Sequence, residues 1–113
     1  MGARLTASPA TGRLAALRTF AEQRPRDPFP RYALGLELLG GKEWQAAWDV
    51  LHRLIDEFPD YIASYSAAGQ VLVALGRPAE ARSLYRSGIE LCARKGDAHT
   101  RANLEDADRK SVV

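Results

Sequence analysis

Part of this chain repeats itself 34 residues further on, and that restricts the available folds severely. Shifted by 34 positions, Ala33, Gly35, Leu38, Ala47 and Ile55 land on Ala67, Gly69, Leu72, Ala81 and Ile89, each an identity. Leu39 lands on Val73, Val50 on Leu84 and Leu51 on Tyr85. A fixed period of this length marks a helical repeat array, in which one hairpin cannot bury its apolar face alone and stacks on the next. The recurring small residues have a physical reason. Two helices cross closely only where Gly or Ala lets their backbones approach.

Fixed offsets within each copy narrow this further. The first has Leu34, Gly35, Leu38, Ala47, Leu51 and a closing Pro59. The second has Tyr65, Ala68, Gly69, Leu72, Ala81 and Tyr85. On these residues the chain resembles the tetratricopeptide repeat family over roughly residues 28–95. Arg31 stands where that family often has an aromatic, and Ala93 replaces the second closing Pro. The resemblance implies an all-α fold, a right-handed superhelical stack of antiparallel helix pairs. Two repeats, 28–61 and 62–95, would be flanked by capping helices at 9–25 and 97–110, all in one domain spanning 9–113. It also implies a protein-binding scaffold, without naming what is bound.

Helix signals fit this layout. Residues 1–8 lack periodicity and read as a disordered arm. Ser8-Pro9 or Thr11 starts a helix carrying Leu14, Leu17 and Ala21, and Leu17, Ala21 and Pro25 fall one period before Leu51, Ile55 and Pro59. This helix is the second half of a repeat whose first half is missing. Asp27 caps the next helix, with Pro28 and Pro30 in its first turn, and Gly40-Gly41 is expected to end it in a left-handed conformation. The following helix spans roughly 43–58. Its Trp44 and Trp48 sit at core spacings and read as packing, not as a ligand box. Asp60 is expected to cap the third helix of the two repeats, Pro78 to open the fourth and Asp97 to cap a last helix from Ala98 to Lys110.

The 113 residues suffice for one domain, and a net charge of +2 makes no case for nucleic acid or membrane. Charge is uneven, with an arginine-rich stretch to residue 31 and an acidic one over 32–76. This reads either as a solvated surface or as docking through opposite charges. Cys92 is the only cysteine, so no internal disulfide can form. No transmembrane run or secretory signal is present, and a cytoplasmic protein is expected. Gly2 to Thr6 fit a myristoylation pattern formally, but a match this short carries no claim.

Catalysis needs convergent groups with tuned acidity, and none converge here. Asp49, His52 and Asp56 share one helix face, and His99, Asn103 and Asp106 another. Both read as solvated polar faces, so no metal and no cofactor is expected. The informative stripe is on the first helix of repeat one. Leu34 and Leu38 serve its own hairpin, yet Phe29, Tyr32, Leu36 and Leu39 form a second apolar stripe at i, i+3, i+7 and i+10. In the resembled family this side of each first helix lines a concave peptide groove. The resemblance therefore implies a groove of Phe29, Tyr32, Leu36 and Leu39, then Ser66, Gln70 and Val73, then Arg101 and Leu104. The family's carboxylate clamp of Lys, Asn and Arg does not carry over. The matching places hold Tyr32, Leu36, Ala67, Asp97 and Arg101, and only Arg101 fits. The expected partner is another protein or peptide bound by an apolar or amphipathic segment. The alternative is a structural subunit that forms a homodimer through the stripe, or an arm that covers it.

Overall fold

A computed structural model describes residues 9–111, and each regular element there is a helix. The helices are α1 Pro9–Gln23, α2 Pro28–Gly40, α3 Trp44–Glu57, α4 Ala63–Ala74, α5 Pro78–Lys95 and α6 Ala98–Lys110. The arm expected over residues 1–8, with its Ser8 cap, lies outside the described residues. Each helix packs on the next, and α2 also meets α4 past the α2–α3 hairpin. This is the all-α stack of antiparallel pairs that the period implies.

The crossings lie at the recurring glycines. A Cβ on Gly35 would come within 2.5 Å of Leu51 Cδ2, and one on Gly69 would run into the ring of Tyr85. Leu51 and Tyr85 are one period apart, so both hairpins use one crossing with partners of different size. Around it Leu34, Leu38, Leu51, Leu54, Ala68 and Val71 form one buried cluster, and Leu72, Tyr85, Cys92 and Leu104 lie in a second. Trp48 and Leu84 border both, which joins them into a continuous core. Trp44 also packs on the first cluster, as its spacing requires.

Arg31, the departure from the aromatic pattern, takes over the aromatic's role by other chemistry. Its guanidinium donates to the Pro25 carbonyl at 2.9 Å, pairs with Glu57 at 2.9 Å and lies 5.2 Å from the Phe58 ring centroid. One period on, the Tyr65 hydroxyl donates to the Pro59 carbonyl at 2.6 Å. Pro25 and Pro59 are themselves one period apart, so both repeats tie the same carbonyl to the opening of the following hairpin.

Three local expectations are corrected. The left-handed residue after α2 is Lys42, at φ 61°, not Gly40 or Gly41. Lys42 N–H donates to Leu39 and Glu43 N–H to Leu38, the double bond of a Schellman turn. Gly76, at φ 76°, fills the same place after α4. Second, Asp60 does not cap α4. That helix starts at Ala63 with no side-chain cap, because Tyr61 N–H bonds Phe58 and Ser64 N–H bonds Tyr61 in a longer turn. Third, α6 departs from the period. Leu34, Ala68 and Leu104 are all buried, but 34 residues separate the first two and 36 the last two. The extra length lies in α5, 18 residues against 14 for α3, and the turn after it is only Gly96, at φ 74°, and Asp97, whose side chain accepts from Thr100 N–H at 3.0 Å.

Candidate functional site

The late register of α6 decides which expected groove residues lie together. On α2, spacings of three and four keep Phe29, Tyr32, Leu36 and Leu39 on one side, with Phe29 and Leu36 about 10 Å apart along the axis. Phe29 is 52% exposed and Leu36 39%. Leu39 is half-buried against the first core cluster. Tyr32 is half-buried too, its ring edge-on to Tyr61 with centroids 5.6 Å apart. The sequence reading missed Tyr61. Its position just before α4, opposite an aromatic one turn into α2, is the signal that could have found it.

On α4, Val73 is 43% exposed, Gln70 is exposed and Ser66 half-buried. These three stand one period beyond Leu39, Leu36 and Tyr32, on the helix that α2 meets directly. Phe29, Leu36 and Val73 are the large apolar residues most open to solvent among the described residues. All three belong to this one face. No charged residue occurs in α4, and the two in α2 are engaged elsewhere, Arg31 as described and Glu37 with Arg13 at 3.2 Å. The face is therefore apolar at α2 and neutral at α4.

The α6 residues do not join it. Leu104, expected in the groove, is core: it is 1% exposed, and its Cδ1 fills the space that a Cβ on Gly88 would need. Arg101 in the same register corresponds to Arg31 and Tyr65, not to the stripe. It is exposed, bonded to Glu105 at 3.3 Å, and acts electrostatically on Cys92 of α5.

The remaining chemical candidates are spoken for. His52 stacks on Trp48 with centroids 4.9 Å apart and lies 3.5 Å from Asp56, while Asp49 accepts from Gln45 at 3.1 Å. Among the described residues no three His, Cys, Asp or Glu side chains are grouped to hold a metal ion. Cys92 is fully buried, and burial first, then the charge of Asp97, pushes its thiol up, which suppresses the reactive thiolate. No helix among the described residues is long and apolar enough to cross a membrane.

Neither a protein-family model nor a curated relative matches the chain. Solved structures do. A tetratricopeptide repeat domain protein from Salinibacter ruber, determined in solution, is 33% identical over 77% of this chain and 88% of its own, with a TM-score of 0.72. A crystal structure of a Salinibacter ruber tetratricopeptide repeat domain protein is 33% identical over 75% and 96%, with a TM-score of 0.71. A protein from Bordetella parapertussis shares the fold at 23% identity, over 87% and 85%, with a TM-score of 0.75. Together with the 34-residue period and the glycine crossings, these matches mean that the chain belongs to the tetratricopeptide repeat family.

Proposed function

We propose that this protein is a non-enzymatic interaction module of the cell interior, and that its α2–α4 face takes an apolar or amphipathic segment of a partner protein. The observation behind this reading is the concentration of exposed large apolar side chains on that face, Phe29, Leu36 and Val73. Scattered singly such residues need no explanation, but gathered on a face without charge they favour a partner's apolar side chains. Tyr32 and Leu39 extend the contact, and Ser66 and Gln70 offer hydrogen bonds at the α4 end. The three exposed side chains together present on the order of 200–300 Å² of apolar surface. A stable interface needs about 800 Å² per partner, so this area suits a short segment better than a second copy of the chain. The test is affinity capture with the parent, Leu36→Asp and Arg53→Ala. A partner retained by the parent and Arg53→Ala but lost by Leu36→Asp supports the reading. Equal retention by all three removes it.

A further inference from the structure

The α2–α4 face carries hydrogen-bonding groups that the fold leaves unused. The chain has four tyrosines. The Tyr65 hydroxyl donates to the Pro59 carbonyl at 2.6 Å, and the Tyr85 hydroxyl bonds the side chain of Ser111. Among the described residues neither the Tyr32 nor the Tyr61 hydroxyl bonds any protein group, and nor do the Ser66 hydroxyl and the Gln70 amide. Other helical serines behave differently. Ser64 donates to the Tyr61 carbonyl at 2.7 Å and Ser87 to the Ser83 carbonyl at 3.2 Å. Burial first, then Tyr32 and Asp27, pushes the Tyr61 phenol above its ordinary value, so it holds its proton and remains a donor.

These donors stand among the apolar side chains. The Tyr32 ring lies edge-on to Tyr61 at 5.6 Å, and Phe29 and Leu36 flank Tyr32 along α2. Rings, aliphatic groups and uncharged donors in one place discriminate between partner backbones. An α-helix bonds its carbonyls to its own N–H groups and offers these donors only side chains. A polyproline II segment has no internal hydrogen bonds, so its carbonyls are free to accept. Its residues three apart stand about 9 Å apart, close to the roughly 10 Å between Phe29 and Leu36 along α2. Proline adds an apolar ring and no N–H, which suits a face whose free groups can donate. A charged side chain would lose hydration on this face without meeting an opposite charge.

We propose that the partner segment taken by the α2–α4 face is an uncharged, proline-containing stretch in the polyproline II conformation. This rests on the reading of that face as a docking surface. One proline of the segment packs on Phe29 and Tyr32, and the residue three further on packs on Leu36. The Tyr32 and Tyr61 hydroxyls donate to carbonyls between them, and Ser66 and Gln70 donate from the α4 side. Such a segment already holds its bound shape in solution, so little conformational freedom is lost and a small apolar area suffices.

The test is an NMR titration of the 15N-labelled full chain with Ac-PLSPLS-NH2 and, separately, Ac-ALSALS-NH2. In polyproline II the prolines share one edge, the leucines a second, and the serines face solvent. The proline peptide should shift the amides of Phe29, Leu36 and Gln70, and the alanine peptide should bind more weakly by about fivefold or more. Tyr32→Phe/Tyr61→Phe keeps both rings and removes only the hydroxyls, and should weaken the proline peptide by about fivefold. If that variant melts well below the parent, the preference for the proline peptide decides alone. Leu36→Asp should lose the proline peptide. No shift at about 5 mM peptide, equal binding of the alanine peptide, or undiminished binding to a folded double tyrosine variant would each overturn the proposal. So would tighter binding at this face of a helix-forming peptide, Ac-KALAALAALAK-NH2. That last result would leave the face a docking surface, whereas a proline peptide that binds Leu36→Asp as well as the parent would overturn both readings.

Discussion

Gly69 shows how one missing atom shapes this fold. Tyr85 is 2% exposed and held on all sides, so its ring cannot swing clear of a new methyl group. Gly69→Ala should therefore cost about 1–3 kcal/mol, measured by chemical denaturation. Lys42 gives the opposite prediction. A left-handed conformation strains a residue with a Cβ, and repeat two has Gly76 at that point. Lys42→Gly should gain about 0.5–1 kcal/mol, less than the full strain because glycine loses more entropy on folding. An unchanged denaturation midpoint would show that the turn relaxes around lysine. These two residues also mark what was legible beforehand. Gly69 could be read because its twin, Gly35, stands one period earlier. Lys42 could not, because two glycines just before it satisfy the same sequence rule, and only the backbone bonds from Lys42 and Glu43 fix which residue turns.

Among elements, α6 was the hardest to place. The sequence shows that the pattern fails there but not that the buried register falls two residues late, because that register is set by how far α5 continues and where Gly96 turns. That shift put Leu104 in the core and took Arg101 away from the stripe. α6 docks through Leu104 and through Asp108 to Arg82 at 3.1 Å and Arg86 at 3.5 Å, and Asp97 caps its first turn. Removing residues 97–113 would uncover the Gly88 side of α5, and the truncated chain should aggregate or melt far below the parent in a light-scattering melt. The cap adds a pH dependence. The Asp97 carboxyl is held below its ordinary range, first by the Thr100 backbone N–H and then by the Thr100 side chain; Asp106 is held down first by Lys110. A carboxyl lowered in the folded state adds stability that is present above its unfolded value, about 3.9, and is lost as pH falls through the folded value. Amide exchange in α6 should therefore speed up relative to α2 below about pH 4. If α6 and α2 lose protection in step, these carboxylates do not govern the docking of α6.

For the whole molecule, the outer sides of the first and last helices differ from the sides that pack. At one end Arg24 covers the Phe20 ring, its guanidinium carbon 5.5 Å from the centroid. At the other, α6 turns Arg101, Asn103, Arg109 and Lys110 to solvent. Among the described residues the outer sides of α1 and α6 carry no large exposed apolar side chain, so sedimentation should show no open-ended growth in mass with concentration. What remains unpartnered is the side of the stack, and there α2 carries two apolar stripes with different duties. Leu38, 2% exposed, belongs to the hairpin core; Leu36, two residues away and 39% exposed, lies outside both buried clusters. The direct test is paired thermal melting of Leu36→Asp and Leu38→Asp beside the parent. Leu38→Asp should lose several kcal/mol or fail to fold, because it buries a charge without a partner. Leu36→Asp should melt within about 0.5 kcal/mol of the parent, as an exposed substitution does. A Leu36→Asp protein as unstable as Leu38→Asp would mean that the stripe is already covered within the chain and that no open docking face exists.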